Sequence, residues 1–545
     1  MDDRVTRLDR LKRITKQNKF RLFACALSGI VSSIPYYFPS FFFLSWFSYI
    51  LCFYFILHHA RSPKQAYLYL FSSELARSIM TLLWFRELLN MTVFDMPKIF
   101  LDIVVAVAIF GIAFFQSAII SLCAPLIKSA FTYCKSDILA SICSAIFYTM
   151  AEFILGIGPL GFPWSAIYIS QQKFLPAIQS ASLFGGHFVS FVVILINICL
   201  AVFIKKHAEN SKAKGICILA AAVFILNMLF GVYELCDISD STREIKVAAI
   251  QDNTSSYDKW GGNTYDILKK VKSELKKTEY CDLILCSETV FPITLDTDVV
   301  KASSLAKEIE LYLSDITYKN KNVIIVGAFS EKENKNYNSL FLFDNGNIYP
   351  DTYDKKNIVP FVEYLPMEDF ILDIFPFVDN LNLSGNSITA GTKSKVFTSS
   401  VGKIGCMICF DSIFYDNATE SVGNGANILA LSTNDSWYND SAATVQFLGH
   451  AVFRAIENKR YLVRSATTGY SAIITEDGII TNKSELLTQD SISGNVKLSE
   501  KITLFNKCGY TPLLLSCLTA LMFLIICAFE HFKIYHNPKS CQESL

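Results

Sequence analysis

Histidine is scarce in this chain, which has 7 in 545 residues. Between Asp237 and Lys507, the one long polar stretch, His450 stands alone. A nucleophile activated by histidine is therefore disfavoured there. Net charge is absent too: 49 basic and 49 acidic side chains sum to zero, so no global field points to nucleic acid. The 16 cysteines follow no regular spacing, and about ten sit in or beside apolar runs, where a thiol behaves as a small hydrophobe. Only Cys236, Cys281, Cys286, Cys406, Cys409 and Cys508 belong to the polar region and its edges, so no dense disulfide framework is expected. The first residues, MDDRVTRLDRLKRITKQNKFR, lack the small-residue cleavage site of a secretory signal.

What the chain has in abundance is apolar length. It is 52% hydrophobic and 14% aromatic, concentrated in the first ~235 positions and again near the C-terminus. About 20 mostly apolar residues cross a hydrocarbon core, and eight segments meet that length: Phe23–Phe38, Phe41–Leu57, Ala66–Trp84, Ile99–Leu122, Ile138–Leu155, Leu183–Ile204, Gly215–Tyr233 and Thr511–Ala528. The basic N-terminal tail belongs in the cytoplasm by the positive-inside rule. The loops HARSPK, IKSAFTYCKSD and KKHAENSKAK, all carrying Lys or Arg, fall on that side too. The expected organisation is a basic tail (1–21), seven membrane helices (22–235), an external domain (240–506), an eighth helix (509–530) and a short cytoplasmic tail (531–545). Glu74 and Glu152 are the clearest charges inside the spans, and no paired relay is evident, which counts against ion-coupled transport.

The external region reads as α/β. The runs IKVAAIQ, CDLILCSE, KNVIIVGAF, YNSLFLFD, GKIGCMICFD, ANILALSTND and RYLVRSAT look like strands buried on both faces, with helical stretches at Tyr265–Thr278, Ser303–Asp315 and Thr444–Asn458. Two strand layers with helices outside would fit, and roughly 270 residues suffice for one such core.

Three polar groups stand at predicted strand ends or in loops: Glu288 closes CDLILCSE, Lys355 lies in YDKKNIVPF, and Cys409 closes GKIGCMIC. A thiol becomes a good nucleophile when a base takes its proton or positive charge lowers its pKa. Glutamate can be that base, and a lysine can stabilise the thiolate and a later oxyanion. Each residue alone has a plainer reading: a capped carboxylate, a surface lysine, a core cysteine. Cys406 and Cys409 form a CxxC, but residues three apart on a strand point to opposite faces, which argues against zinc or redox work.

The order Glu288, Lys355, Cys409 resembles the Glu-Lys-Cys triad of the nitrilase, or carbon-nitrogen hydrolase, superfamily. VAAIQDNTSSYDKW, LILCSETVFP, YNSLFLFDNG, YDKKNIVPFVEYLP, ICFD, STNDSWYNDS and RAIENKRYLVRSATTGYSAII resemble, in order, motifs of the apolipoprotein N-acyltransferase family. GFPWSAIYISQQ is similar to that family's external loop between two spans. The resemblance implies a nitrilase-like αββα sandwich inserted before the last helix of an eight-helix bundle in the bacterial inner membrane, with the sandwich on the periplasmic side. It implies that Glu288 is the general base, that Lys355 stabilises the oxyanion, that Cys409 is the nucleophile and that Glu363 supports them. The implied reaction moves an acyl chain from a membrane phospholipid, through a Cys409 thioester, to the α-amino group of a diacylated apolipoprotein, without metal or organic cofactor. Trp260 and Trp437 are candidates to line the acyl or headgroup site, the alternative being a place in the core. The stretch Ile371–Leu383 is a candidate interfacial arm, the alternative being a packed loop. The chain departs from the family in having Phe410 and Asp411 where Tyr-Glu is usual, Val362 where Gly is usual, and no arginine after the acid of the fifth span. The same residues would also serve a membrane-tethered amidase, and a non-catalytic scaffold is the remaining alternative.

Overall fold

The computed structural model describes residues 2–90, 98–236, 243–295, 303–360, 362–366, 368–374 and 388–536. Six helical stretches among them are long and apolar enough to cross a membrane: Pro39–His59, Lys98–Tyr133, Asp137–Ile154, Gly186–Ala208, Lys214–Cys236 and Thr511–Phe532. These coincide with six of the eight segments expected from composition. The other two fall on the helix Asp2–Ser33, with the 3-10 turn Ile34–Tyr36 after it, and on the helix Pro63–Leu82. Polar residues set these two helices apart, since the buried face of Pro63–Leu82 carries Ser73, Glu74, Arg77, Ser78 and Thr81. Their contact depends on Gly29, where a Cβ would lie 1.9 Å from the Ser73 carbonyl oxygen.

The two acids of the spans are paired, contrary to expectation. Glu74 accepts from Arg77 at 2.7 Å and from the Tyr148 hydroxyl at 2.7 Å, and Glu152 meets His187 Nδ1 at 3.0 Å. Sequence inspection missed both pairs because Arg77 hides one helical turn along an apolar run and His187 lies 35 residues away. Both pairs also bind the backbone of one loop: Arg77 donates to the Ser165 carbonyl, and the Ile167 N–H donates to Glu152 at 2.6 Å. This is how buried carboxylates are tolerated in an apolar bundle, through the Arg77 charge beside Glu74, the His187 ring beside Glu152, and hydrogen bonds from buried donors to both.

The polar region is a four-layer sandwich. Its strands are β1 (Glu244–Gln251), β2 (Leu283–Leu285), β3 (Val323–Lys332), β4 (Lys335–Asp344), β5 (Asn347–Ile348), β6 (Tyr353–Asp354), β7 (Val396–Thr398), β8 (Lys403–Ile408), β9 (Ile428–Thr433), β10 (Leu462–Ala466), β11 (Ala472–Ile474), β12 (Ile480–Lys483) and β13 (Asp490–Lys497). One sheet runs β13-β1-β2-β3-β4-β5 with β6 on β4, and the other runs β12-β11-β10-β9-β8-β7. The centre of each is parallel, β1 with β2 and β3, and β8 with β9 and β10.

Strand alternation builds both faces of each sheet. Val247 and Ala249 of β1 face the second sheet, while Ala248 and Ile250 pack on the helices Thr264–Thr278 and Ser304–Asn320. On the second sheet Ile404, Cys406 and Ile408 point inward, and Met407, Leu429 and Leu431 pack outward on the helix Ala442–Asn458. That helix is itself covered by Tyr168, Ile169, Ile178 and Val189 of the membrane part, in one continuous core. The sandwich is thus joined to the bundle through an apolar layer.

A Gly29→Ala variant places a methyl group against the Ser73 carbonyl and is expected to cost about 1–3 kcal/mol. Thermal unfolding in detergent will check this against Gly111→Ala, where a Cβ meets nothing within 4 Å. Equal melting temperatures for the two variants would refute the close approach.

Candidate active site

Three strand ends converge between the sheets. Glu288 follows β2 on the first sheet, Lys355 follows β6, and Cys409 follows β8 on the second. Each is held by local geometry that the neighbouring sequence makes possible. Thr289, next to Glu288, has φ +41°, a conformation rarely tolerated by a β-branched residue. Gly327 of β3 makes room for it, since a Cβ there would lie 2.4 Å from the Thr289 nitrogen. Cys409 has φ +46° and opens a 3-10 turn, Cys409–Ile413. This left-handed residue ends the strand alternation, so Cys409 joins Cys406 in the layer between the sheets rather than pointing to the opposite face. Both are free thiols.

Asp411 closes the turn. Its carboxylate accepts from the Ile408 N–H at 2.9 Å, the Asn357 N–H at 2.7 Å and the Tyr353 hydroxyl at 2.6 Å. The Ser412 hydroxyl donates to the Cys409 carbonyl at 2.9 Å. A left-handed non-glycine residue costs roughly 1–2 kcal/mol, and these bonds over-determine it. The aspartate that stands at this position is therefore long enough to tie the Cys409 turn to the Lys355 loop. Phe410 lies where no hydroxyl partner is needed: it stacks on Phe162 at 6.0 Å and meets Phe414 edge-on at 5.4 Å. Val362 is 64% exposed.

Lys355, 1% exposed, sits between two carboxylates, 3.1 Å from Glu288 Oε1 and 2.8 Å from Glu363 Oε1. Besides Lys355, Glu288 accepts from Asn338 Nδ2 at 2.7 Å and from the Asn434 N–H at 2.7 Å, which leaves an acceptor position for a proton. Glu363 accepts the Val359 N–H at 2.7 Å. A second buried cation, Lys259, donates to the Glu288 carbonyl at 2.6 Å. Sequence reasoning passed over Lys259, Asn338 and Asn434. All three lie in the family-like motifs, the first next to the more conspicuous Trp260 and the others as neutral side chains with no chemical prominence of their own.

Charge in this group is ordered. Burial opposes ionisation of Glu288, but Lys355 and Lys259 outweigh it and hold the carboxyl below its usual range. Burial likewise opposes the Lys355 charge, and Glu288 and Glu363 raise its pKa well above the ordinary lysine value. Burial, followed by the Glu288 charge, pushes the Cys409 thiol up, and Lys355 offsets only part of this. At neutral pH the resting group is a carboxylate, an ammonium and a neutral thiol. His450 takes no part: burial and then Arg454 bring it down to about 3, and its Nε2–H donates to the Trp164 carbonyl at 3.0 Å.

The two expected tryptophans lie further out. Trp260 is 43% exposed with its ring 6.1 Å from Phe329, and Trp437 is half-buried in the loop after β9. The expected arm Ile371–Leu383 lies largely outside the described residues, which include only its start, in the helix Glu368–Ile374.

Two family models match this chain: carbon-nitrogen hydrolase over residues 246–501 and the apolipoprotein N-acyltransferase N-terminal domain over residues 28–199. Among curated proteins it is similar to the apolipoprotein N-acyltransferase of Geobacter metallireducens, 28% identical over 392 residues that cover 69% of this chain and 72% of that protein. The enzyme of the same name from Gloeobacter violaceus is 27% identical, with 69% of each chain covered. That from Borreliella burgdorferi is 27% identical, covering 66% of this chain and 70% of that protein. The chain belongs to the apolipoprotein N-acyltransferase family. Its sandwich is the carbon-nitrogen hydrolase fold, and its helical part, over residues 28–199, matches the N-terminal domain of these acyltransferases.

In this N-acyltransferase the membrane loop after Asp137–Ile154 reaches the active site directly. Phe162 stacks on Phe410 and on Trp164, the latter at 5.7 Å. Trp164 Nε1 donates to Gln446, and the Tyr364 hydroxyl, beside Glu363, donates to the Pro159 carbonyl at 2.9 Å. One loop thus touches the residue after Cys409 and the residue after Glu363.

Phe162→Ala is expected to lower kcat about 10- to 100-fold, because small displacements of reacting groups are costly, with the donor KM little changed. A change in KM alone would make Phe162 a substrate contact instead. Asp411 generates a second expectation. Burial raises its carboxyl from 3.8 to about 6, so the fold favours the protonated form. The stability this contributes is complete below the unfolded value and falls by roughly 3 kcal/mol as pH climbs through the folded one. Asp411→Asn should lack this slope when unfolding is measured at acid and neutral pH. Parallel stability curves for wild type and variant would exclude the raised value.

Proposed function

We infer that the chain is an apolipoprotein N-acyltransferase that takes its acyl group from a membrane phospholipid and delivers it to the free α-amino group of a diacylated lipoprotein. The observation that carries the catalytic reading is the buried Lys355 ammonium held between Glu288 and Glu363 at the strand ends that also present Cys409.

Cys409 Sγ attacks the ester carbonyl of the donor while Glu288 removes the thiol proton. Because the thiol is raised and Glu288 lowered, the proton stays on sulfur at rest, and its transfer accompanies attack, when the developing tetrahedral oxyanion draws on the Lys355 charge. The intermediate collapses by expelling the lysophospholipid alkoxide, which takes the proton from Glu288, and a Cys409 thioester remains. The lipoprotein amine then attacks that thioester, Glu288 accepts the amine proton, and the thiolate leaves and is reprotonated as the amide is released. Lys355 keeps its proton throughout, since two carboxylates hold it charged. Glu363 helps to hold the charge on Lys355, and Lys259 that on Glu288. Trp260, at the exposed rim, and Trp437 serve the lipid substrates. The domain works on the extracytoplasmic side, where the membrane brings donor and acceptor together in two dimensions.

The test is intact-mass analysis of the purified protein mixed with phospholipid, followed by a diacylated lipopeptide with a free amine. Wild type should gain one acyl mass and lose it to the peptide. Cys409→Ala should gain none, and Glu288→Gln should acylate at least 100-fold more slowly, of the order expected for loss of a general base. An adduct discharged by water alone would make the protein a hydrolase, and an adduct on Cys409→Ala would refute the nucleophile.

A further inference from the structure

The helices Asp2–Ser33 and Pro63–Leu82, packed through Gly29, leave a cavity of about 240 Å³ at the end of Pro63–Leu82 that lies away from the sandwich. Its lining is Gln17, Asn18, Arg21, Arg61, Ser62, Lys64, Gln65 and Leu68. Three cations and no carboxylate line it. Its walls are braced by amides: Gln65 Nε2 donates to Asn18 at 3.0 Å and to the Tyr69 hydroxyl at 2.9 Å, while Gln65 Oε1 accepts the Arg61 N–H at 2.9 Å. The N-terminus of Pro63–Leu82, capped by Ser62, opens beside it.

Position identifies the ligand chemistry. The far end of the same helix touches the sandwich, where Gln446 Nε2 donates to the Thr81 carbonyl at 3.3 Å. At 1.5 Å per residue, Ser62 lies roughly 29 Å from Thr81, about one hydrocarbon thickness. The cavity is therefore at headgroup depth in the opposite leaflet, too far from Cys409 to present an acyl donor. It is small and polar, suited to a phosphate group rather than an acyl chain. Next to it Phe20, Phe23 and Leu68 are 66%, 62% and 40% exposed, an apolar surface along which acyl chains can run.

We propose that this cavity is a phosphate site that holds the headgroup of an anionic phospholipid in the leaflet opposite the catalytic domain. Basic clusters at the cytoplasmic ends of membrane helices recognise anionic headgroups in this way. The proposal goes beyond the acyl-transfer reading and rests only on the membrane placement of the apolar helices.

The experiment is native mass spectrometry of the full-length protein in detergent, titrated with phosphatidylglycerol or phosphatidylcholine. Wild type should bind phosphatidylglycerol preferentially. The triple variant Arg21→Gln/Arg61→Gln/Lys64→Gln should lose that preference about 100-fold, at about fivefold per cation. Lys212→Gln/Lys214→Gln, at the exposed start of the helix Lys214–Cys236 and outside the cavity, should keep it. Arg21→Lys/Arg61→Lys should keep most of it, which leaves the proposal testable if the triple variant does not fold. Inorganic phosphate forms the remaining arm: displacement of the bound lipid confirms that the phosphate is what is recognised, and equal affinity for phosphate alone would assign the site to a free anion and overturn the lipid assignment. The site is refuted if wild type shows no preference, if the triple variant retains it, or if the loop variant loses as much.

Discussion

The structure depends on one buried ammonium shared by two carboxylates. Lys355 would be intolerable between the sheets without Glu288 and Glu363, and either acid would be intolerable without it, because stripping one member from a buried pair costs about 3–5 kcal/mol. Two further lone pairs of Glu288 are met by Asn338 and the Asn434 backbone, and one of Glu363 by the Val359 backbone. Those partners come from β4, from the loop after β9 and from the Lys355 loop. The charge cluster therefore fixes the relation between the two sheets at the point where Cys409 emerges.

The same burial sets the chemistry. A thiol lowered far enough to ionise at rest would be a ready nucleophile, but one exposed to oxidants and to stray electrophiles. Here the thiol is held neutral by burial and by Glu288, and in the proposed mechanism activation waits until a carbonyl is in place to accept the charge. In the proposed mechanism an oxyanion formed at this buried position would meet a lysine that needs little reorganisation, so the burial that disfavours the thiolate would strengthen the stabilisation of a tetrahedral intermediate. The pairing of a low Glu288 with a raised Cys409 is thus a division of labour rather than a conflict.

Much of this was legible in the sequence, and the parts that were not share a cause. The β1, β3, β4, β8 and β9 runs were visible because strands buried on both faces read as unbroken apolar text. The helices Thr264–Thr278 and Ala442–Asn458 were visible through their spacing. What escaped were contacts across long sequence separations between residues without chemical prominence: Asn338 with Glu288, Phe162 with Phe410, His187 with Glu152. Nor could alternation anticipate that Cys409 would face the same layer as Cys406, because the positive φ that turns it is set by a turn whose clamp, Asp411, is bonded to Tyr353 and Asn357 more than 50 residues upstream. The count of apolar spans differed where buried ion pairs interrupt the hydropathy, as at Glu74 and Arg77.

The joint between the two halves explains why they occur in one chain. The helix Ala442–Asn458 is buried along nearly its whole length, by the second sheet on one side and by Tyr168, Ile169, Ile178 and Val189 on the other. A soluble enzyme of this fold would need a polar outer face there. This one has an apolar face satisfied only by the bundle, reinforced by the buried Arg454–Glu457 pair at 2.9 Å and by the Gly186 N–H donated to Glu457 at 2.8 Å. With Phe162 and Pro159 also reaching from the bundle to the Cys409 turn and the Glu363 loop, the membrane part does more than anchor. It packs directly on the Cys409 turn and the Glu363 loop, so the position of these two segments is set in part by the helices on which the sandwich sits.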